Sequence, residues 1–406
     1  MAKGILVINA GSTSVKFGAY SCSAAKSLDL VCRGQVEGIG SQPSLVVKNP
    51  EGKPIGAHDW VKADPLDQEG AIRFVVTWLE THQADLEVAA VGHRVLQGGP
   101  AYPGPVLVDE TVISDLEKLQ EIEPSHQSFE VAAIRAFARA HPKLPQVAAF
   151  DTAFHRTMPE VAQRYALPAE VAGNLIRRWG FHGISYLYIS RALPRYAPTA
   201  RRVIVAHLGG GASMCAMLDG KSMDTSMGLG ALDGLPMATR CGAIDPEILL
   251  YLLRERKYTA IDLETLLYKK SGLMGLSGIS EDMRMLNDSK AASAAEAIDY
   301  FVYQIVKFAG AYAAVLGGLD AFVFTAGIGE NDPSLRAAVV QKLEWLGAKL
   351  DRAANDRNGP RISTGDSKVS FWVIPTNEEL MIAQHTATLA GVWAGVSHTR
   401  LISLPS

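Results

Sequence analysis

The pattern of apolar and polar positions repeats one unit at two distant points of the chain. Near the start, an apolar run at residues 5–8 meets a small polar turn at 9–14, and residues 15–20 return as a second run. Residues 203–205, the turn at 207–213 and a run that ends at Met217 follow the same order. Each copy predicts a strand, a tight turn and a returning strand. Two copies indicate an internal duplication, and hence two related domains.

The turn of the second copy contains three consecutive glycines, Gly209, Gly210 and Gly211. Because glycine has no Cβ, several backbone N–H groups can converge there on one anion, as in loops that hold phosphate. An ordinary glycine-rich hairpin has the same pattern, and one glycine cluster does not decide between the two interpretations. The presence of the other copy near the start of the chain favours a phosphorylated ligand. Two domains that face a cleft can each present one loop to a polyphosphate.

The context of these glycines excludes two common nucleotide-binding motifs. A dinucleotide-binding fingerprint places its glycines between a strand and a helix, whereas here the run continues as a strand. The chain also lacks the Walker pattern G-x-x-x-x-G-K-[S/T]. The two hairpins therefore predict loops that hold the phosphates of a mononucleotide.

Apolar periodicity predicts further elements. Ile72, Val75, Val76 and Leu79 define one face of a helix over residues 65–83. We place the boundary between the two domains near residue 150. Apolar runs predict strands at 88–92, 147–150, 322–325 and 369–374 and helical segments at 132–140 and 291–298.

Three side chains at strand ends or turns are candidates for chemistry. Arg94 follows a buried strand and precedes glycines, so its guanidinium can point into a cleft, although a structural pair with a carboxylate is the alternative. Asp151 lies just beyond a strand, which is a typical catalytic position and also a common helix cap. His182 lies between glycines at a turn into a helix, where a core or capping histidine is the alternative.

Two later turns precede helices. Residues 326–331 predict a glycine turn that opens a helix, a geometry that suits a nucleotide base or ribose. Thr376 and Glu379 match a capping box at the start of the C-terminal helix. That assignment gives Glu379 a structural role and leaves Glu378 free for chemistry.

Composition restricts the class of protein. The chain has 406 residues, of which 48% are hydrophobic and 20% charged, and its net charge is −3. These values are ordinary for a globular protein of two or three domains and argue against nucleic-acid or anionic-membrane partners. The four cysteines have no metal-ligand spacing, which favours reduced thiols and a cytoplasmic location.

Targeting and membrane segments are not predicted. A strand follows the first few residues and leaves no room for a signal peptide. The longest apolar run, at 308–319, is shorter than the roughly 18 residues of a membrane span, so we expect a buried helix that leads into a strand.

Segments spread over nearly the whole chain resemble the acetate kinase family, whose superfamily also contains sugar kinases, actin and heat-shock chaperone ATPases. The segments that carry the resemblance are VINAGSTSVKF, GHRV, FDTAFHRTMP, GFHGIS, HLGGGAS, DTSMG, ATRCG, LSGISEDMR, FTAGIGEN and PTNEELMIA.

The resemblance implies two duplicated ribonuclease-H-like (actin-like ATPase) domains around a nucleotide cleft. Residues 1–150 with 380–406 would form an acyl- and phosphate-binding domain, and residues 151–379 a nucleotide-binding and dimerisation domain. The implied reaction is ATP + acetate ⇌ ADP + acetyl phosphate, with Mg²⁺ or Mn²⁺, in a homodimer.

The resemblance also implies the site residues. The implied catalytic residues are Arg94, Asp151, His182 and Arg240. The implied acyl-site residues are Arg94, Leu96, Ser125, Phe181 and Ala231. The residues implied for the β- and γ-phosphates are Ser12, Ser14, Lys16, His207, Leu208, Gly209, Gly210 and Gly211. The residues implied for adenosine are Asp282, Met283, Arg284, Gly327, Ile328, Gly329, Glu330 and Asn331. Asn9 and Glu378 are implied for the metal, through water.

The chain departs from the family pattern mainly at the acyl site. The family's HLGNG has Gly210 here, HRVVHGG is HRVLQGG, PLHNPPN is PSHQSFE, and the pocket proline is Ala231. An acetate kinase is the first interpretation, and a propionate or longer-acyl kinase is the alternative. A non-enzymatic ATP-binding switch of the chaperone or actin class is a distant third, because it has no need of Arg94, Arg240 and His182 in one cleft.

Overall fold

The computed structural model describes residues 1–23, 27–60 and 66–393, except for the side chains of residues 124–126. The chain forms two compact units. The first consists of Met1–Ala153 and a segment that starts at Asn377, and the second is Phe154–Thr376. The domain limits predicted at residues 150 and 380 lie near these divisions, and the functions assigned to the two domains stay predictions.

A mixed sheet forms the centre of the first unit. Among the described residues its strands are β1 (Ala2–Ala10), β2 (Ser14–Cys22), β3 (Leu28–Glu37), β4 (Ser44–Lys48), β5 (Pro54–Asp59), β6 (Leu86–Val95), β7 (Val106–Leu107) and β8 (Gln146–Phe150). Their order is β5-β4-β3-β2-β1-β6-β8-β7. β1 and β2 pair antiparallel with Asn9 opposite Lys16, which confirms the first predicted hairpin. β1, β6 and β8 run parallel, so Arg94 and Asp151 come at the ends of neighbouring strands.

Helices cover one face of this sheet. They are α1 (Gln68–His82), α2 (Glu110–Lys118) and α3 (Pro124–Ala140). Ile72, Val75 and Leu79 of α1 pack with Phe137 of α3 against apolar strand side chains, as the periodicity predicted. Burial of such side chains stabilises the fold by about 1.5–3 kcal/mol each.

The second unit has its own five-stranded sheet among the described residues. Its strands are β9 (Arg202–Leu208), β10 (Ala212–Leu218), β11 (Lys221–Thr225), β12 (Ala321–Thr325) and β13 (Ser370–Val373). Their order is β11-β10-β9-β12-β13. β9 and β10 pair antiparallel with His207 opposite Ser213, which confirms the second predicted hairpin. β12 runs parallel to β9 and β13.

The second unit also contains helices of very different length. They are α4 (Glu160–Gln163), α5 (Ala169–Ala172), α6 (Gly183–Ala192), α7 (Pro246–Arg254), α8 (Ala260–Lys269), α9 (Gly272–Ser277), α10 (Met283–Asp288), α11 (Ala292–Val315), α12 (Ala326–Asn331), α13 (Pro333–Lys342) and α14 (Arg352–Asp356). Short 3₁₀ segments lie at Leu119–Glu121, Asp151–Thr157, Leu193–Arg195 and Glu344–Leu346. No helix in the described part of the chain has the length and apolar character needed to cross a membrane.

The last helix, α15 (Glu378–Leu389), belongs to the first unit. It packs on the face of the sheet opposite α1, and a Cβ on Gly92 would overlap the Thr386 hydroxyl. The predicted capping box is wrong. Asn377 is the N-cap, and its side chain accepts a hydrogen bond from the backbone N–H of Leu380 at 2.9 Å. An asparagine one residue further on provides a better-placed carbonyl oxygen than Thr376.

The predicted glycine turn at 326–331 is also wrong, because these residues form α12 itself. The helix follows β12 without an intervening loop, and Ala326 makes the change of direction with a φ of 66°. A positive φ in a residue with a Cβ is strained, and such strain often occurs at functional sites.

Candidate active site

In the first unit, the structure brings Arg94 and Asp151 together. Arg94 Nη2 lies 2.5 Å from Asp151 Oδ2 and its Nε lies 3.4 Å from Oδ1. The Asp151 side chain is fully buried, whereas 16% of the Arg94 side chain remains exposed. A buried carboxylate that holds one edge of a guanidinium fixes its orientation and leaves other N–H groups for a ligand.

Three carboxylates surround Arg94 electrostatically. Burial acts to lower its pKa, but the charges of Asp151, Glu378 and Glu130 outweigh burial and hold the pKa above its ordinary value. Arg94 is therefore a permanent cation. Glu130 is buried, and its Oε2 accepts a hydrogen bond from the backbone N–H of Leu96 at 2.8 Å. Burial raises the pKa of Glu130 to about 8, against the opposing effects of Arg94 and of this hydrogen bond.

The first predicted phosphate loop lies between β1 and β2. The backbone N–H of Gly11 donates to Ser14 O at 2.8 Å, and Gln68 Nε2 donates to Gly11 O at 3.0 Å. Ser12 and Lys16 are exposed and Ser14 is half-buried. The loop is thus tied down at its base while polar groups remain accessible.

Asn9 and Glu378, predicted for the metal, also belong to the first unit. Asn9 lies near the end of β1 and Glu378 is the first residue of α15. The described residues contain no group of three or more His, Cys, Asp or Glu side chains that could hold a metal ion. One amide and one carboxylate suit Mg²⁺, which keeps several waters and binds proteins through one or two carboxylates together with substrate phosphates.

In the second unit, His182 and Arg240 both lie close to Gly211 of the second predicted phosphate loop. A Cβ on Gly211 would lie 3.3 Å from His182 Nε2 and 3.8 Å from Arg240 Nη2. Arg240 Nη1 donates to Ala231 O at 2.8 Å, which fixes the guanidinium. An imidazole and a guanidinium therefore meet beside Gly211, and such donors stabilise negative charge.

The residues predicted for adenosine begin beside the same loop. A Cβ on Gly209 would lie 3.7 Å from Ala326 Cβ and 4.0 Å from Gly327 N, so β9 and the start of α12 come together here. Glu330 Oε1 accepts hydrogen bonds from the backbone N–H groups of Ala326 at 2.7 Å and Thr376 at 3.1 Å. Glu330 Oε1 therefore connects the residue after β12 with the segment that follows β13. Ile328, Gly329 and Asn331 continue α12.

The other predicted adenosine segment is the start of α10. Asp282 is its N-cap and accepts from the backbone N–H of Arg284 at 2.9 Å. Arg284 Nη2 lies 2.6 Å from Asp282 Oδ2, and 89% of the Arg284 side chain is exposed. Met283 is buried. Arg284 therefore presents an open guanidinium face to solvent, where a base can stack.

The predicted acyl-site residues divide between the two units. Leu96 is 4% exposed in the first unit, and Phe181 and Ala231 are 1% and 3% exposed in the second. The side chain of Ser125 lies outside the described residues, although its backbone belongs to α3.

The hydroxyl groups that contact the two histidines were not predicted from the sequence. Ser213 Oγ lies 2.8 Å from His182 Nδ1, and Ser185 Oγ lies 2.9 Å from His207 Nδ1. The Tyr186 hydroxyl lies 2.5 Å from Ser213 Oγ. Hairpin symmetry about Gly210 could have identified Ser213 as the cross-strand neighbour of His207. No comparable pattern in the sequence predicts the contacts that Ser185 and Tyr186 of α6 make with His207 and Ser213.

Comparisons with known proteins agree over both units. A model described as the acetokinase family matches residues 4–384. An acetate kinase of Rhodopseudomonas palustris strain CGA009 is 48% identical over 396 residues, which cover 96% of this chain and 99% of that protein. The structure of a propionate kinase from Francisella tularensis is 36% identical with a TM-score of 0.88, and covers 95% of this chain and 100% of that one. The structure of Porphyromonas gingivalis acetate kinase is 35% identical with a TM-score of 0.85, and covers 96% and 100%. These similarities confirm the predicted α/β fold of two duplicated ribonuclease-H-like domains.

Proposed function

The chain belongs to the acetokinase family and is a kinase with ATP and ADP as co-substrates, and on this premise we propose that it transfers the γ-phosphoryl group of ATP reversibly to acetate. The observation that carries the proposal is that His182 Nε2 and Arg240 Nη2 both lie within 4 Å of the place where a Cβ on Gly211 would be, beside the second predicted phosphate loop. These are the donors that a transferring phosphoryl group requires.

The reaction needs charge stabilisation more than proton transfer. Acetate is ionised at neutral pH, so its oxygen attacks phosphorus without a general base. Phosphoryl transfer spreads charge over three equatorial oxygens, and catalysis consists largely of positioning and electrostatic stabilisation. Arg94 would bind the carboxylate and the incoming phosphoryl group, held by Asp151. Arg240 and His182 would stabilise the equatorial oxygens.

Nucleotide binding would use the two hairpin loops and the start of α12. Ser12, Ser14 and Lys16, together with the 207–211 loop, would hold the β- and γ-phosphates. Residues 282–284 and 327–331 would hold adenosine. Asn9 and Glu378 would hold Mg²⁺ through its waters, and the metal would neutralise phosphate charge.

The acyl preference is the least determined part of the proposal. The family contains both an acetate kinase and a propionate kinase among the solved structures similar to this chain. Ala231 and Leu96 depart from the family pattern at the acyl site, and for that reason propionate is the second candidate substrate.

One assay separates the candidate functions. Acyl phosphate is trapped as the hydroxamate with acetate, propionate and butyrate, and ATP hydrolysis is measured in parallel without a carboxylate. We expect hydroxamate with acetate. Hydroxamate only with a longer acid would replace acetate by that acid, whereas ATP hydrolysis without any acyl phosphate would overturn the kinase proposal.

We also infer a homodimer in the cytoplasm, where ATP and the free thiols of the four cysteines both belong. The described residues of α7 include no buried side chain, and Ile248, Leu250, Tyr251 and Leu253 are all exposed. Ile261 of α8 is 74% exposed. So many neighbouring apolar residues on the surface are typical of a subunit interface.

The dimer is tested by light scattering on Leu250→Glu. We expect the mass to fall from that of two chains to that of one. Val161, which is 83% exposed on α4, provides the matched control, and Val161→Glu should leave the mass unchanged. A wild-type protein with the mass of a single chain would contradict the dimer.

A further inference from the structure

The first turn of α6 presents three side chains to one cross-strand pair. His207 and Ser213 lie opposite each other on β9 and β10. The ring of His182 stacks on that of His207, with centroids 4.1 Å apart and an interplanar angle of 18°. Tyr186 and Ser185 follow His182 by four and three residues, so all three side chains emerge from the start of the same helix.

The contacts of Ser213 indicate where the hydroxyl hydrogens of Tyr186 and Ser213 lie, and hence which nitrogen of His182 carries hydrogen. Its Oγ lies 2.5 Å from the Tyr186 hydroxyl and 2.8 Å from His182 Nδ1, and both Ser213 and Tyr186 are completely buried. Either hydroxyl could be the donor by geometry, but a phenol is a stronger acid than an aliphatic alcohol, which favours Tyr186 as the donor and Ser213 as the acceptor. The single hydroxyl hydrogen of Ser213 then goes to His182 Nδ1. A neutral His182 accepts at Nδ1 and therefore carries its hydrogen on Nε2.

The neighbouring imidazole, that of His207, is the opposite tautomer. Ser185 Oγ donates its one hydrogen to Thr376 Oγ1 at 2.9 Å. In its contact with His207 Nδ1, Ser185 Oγ is therefore the acceptor and the imidazole is the donor. His207 consequently carries its hydrogen on Nδ1.

The backbone holds His182 in place as well. His182 adopts the left-handed conformation with a φ of 55°, which is strained for a residue with a Cβ. Its Nε2 lies 3.3 Å from the position of a Cβ on Gly211, so the glycine leaves space in front of the nitrogen. The ring thus has a fixed direction toward the phosphate loop.

We propose that Ser213 and Tyr186 are positioning residues that hold His182 as the tautomer with hydrogen on Nε2, directed at the transferring phosphoryl group. The proposal rests on the kinase function proposed above. It adds two residues that would not touch the substrates and that would act through the orientation and tautomer of His182.

Nitrogen NMR tests the proposal without any turnover. The protein is labelled with ¹⁵N-histidine, and the His182 signals are assigned by their loss in His182→Gln. At a pH where His182 is neutral, we expect a pyrrole-like Nε2 and a pyridine-like Nδ1. In Tyr186→Phe and Ser213→Ala, the two signals should move toward the average of both tautomers. A wild-type His182 with hydrogen on Nδ1 would overturn the proposal.

Kinetics provide the second readout. Because loss of one charge-stabilising donor costs about 10²–10³-fold, Ser213→Ala should lower kcat by at least about 10-fold, but less than His182→Ala, with the KM for ATP changed by less than about 3-fold. Ser213→Thr keeps the hydroxyl and should restore most of the activity. Tyr188→Phe removes a hydroxyl from the same helix and is the matched control, with kcat expected near the wild-type value.

The two proposals fail in different ways. If the wild-type protein forms no acyl phosphate, the kinase function is wrong. The NMR measurement still tests whether Ser213 and Tyr186 determine the tautomer of His182. If acyl phosphate forms and Ser213→Ala has normal kcat with unchanged His182 signals, the positioning role is wrong and the kinase function stands.

Discussion

Asp151 Oδ2 lies 2.5 Å from Arg94 Nη2, and the side chain of this aspartate is fully buried whereas that of the arginine is not. The charge of Asp151 also contributes to the raised pKa of Arg94. Asp151 therefore has the geometry of a residue that orients Arg94 rather than one that exchanges protons with a substrate.

Asp151→Asn should lower kcat for acyl phosphate formation by about 10²-fold, because a misplacement of about 1 Å in a substrate-positioning group can cost that much. The amide is nearly isosteric and keeps an acceptor for Arg94, but it removes the charge that holds the guanidinium. The KM for acetate should rise more than the KM for ATP. Steady-state kinetics with each substrate varied provide the measurement, and an equal effect on both KM values would argue against an acyl-side role.

Arg240→Ala should lower kcat by about 10³-fold or more, the scale for loss of a charge-stabilising arginine in phosphoryl transfer. Its effect on nucleotide affinity should be smaller, since Arg240 is expected to act mainly on the transition state. Single-turnover kinetics and titration with ADP measure the two effects separately.

Arg201→Ala is the control for Arg240, because Arg201 is an exposed arginine of the same unit that pairs with Asp219 at 2.6 Å. An exposed ion pair contributes about 0–1 kcal/mol to stability, so this variant should have ordinary activity. An Arg240→Ala enzyme with near-normal kcat would remove Arg240 from the catalytic set.

The sequence predicts those parts of the site that lie on regular strands and turns. The two hairpins follow from their paired apolar runs and from the glycines of the second turn, and symmetry about Gly210 could have placed His207 beside Ser213 as well. Arg94 and Asp151 meet because Arg94 lies near the end of β6 and Asp151 follows β8, the parallel neighbour of β6 in the sheet.

The parts that could not be predicted depend on choices between nearly equivalent local partners. Thr376 and Asn377 both suit an N-cap, and Asn377 fills that position while Thr376 accepts from Ser185 of α6. Glu330 Oε1 accepts from the backbone N–H groups of Ala326 and Thr376, and no sequence pattern indicates these two contacts. Tertiary contacts decide such cases, and they have no periodicity in the sequence.

The buried carboxyl of Glu130 should make the stability of the protein depend on pH. Burial raises its pKa from an ordinary value of 4.5 to about 8 in the folded chain. Between these values the folded state binds more protons than the unfolded state, so the free energy of unfolding decreases as pH rises through this window. Below about pH 4.5 the contribution is fully present, and it is lost once pH exceeds about 8.

Glu130→Gln tests this dependence, because glutamine stays neutral and its carbonyl oxygen can still accept from Leu96. Thermal unfolding midpoints of the two proteins are compared at pH 5, 7 and 9. We expect the variant to become progressively more stable than the wild type as pH rises. A difference that stays constant from pH 5 to pH 9 would show that Glu130 titrates normally in the folded state.

The last prediction concerns acyl specificity, where the chain departs most from the pattern of its family. By comparison with the family pattern, Ala231 in place of proline would remove ring volume from the predicted pocket. Ser125 in place of an apolar residue would reduce side-chain size, whereas Leu96 in place of valine would add one methylene. One methylene of fit in an apolar pocket is worth about 1–3 kcal/mol, and two truncations against one extension favour a net gain of space. We therefore expect kcat/KM for propionate to lie within about 10-fold of that for acetate.

Ala231→Pro should selectively lower kcat/KM for propionate, because it restores volume at a site where Ala231 is only 3% exposed. The Ala231 carbonyl oxygen accepts from Arg240 Nη1, and proline keeps this acceptor, so the phosphoryl-transfer chemistry should survive. Ala231→Val adds volume without the ring and separates the effect of size from that of a constrained backbone. Both acids are assayed by hydroxamate trapping with all three proteins. Should the wild-type protein turn over propionate about a hundred times less efficiently than acetate, another side chain must fill the space, and the volume argument fails.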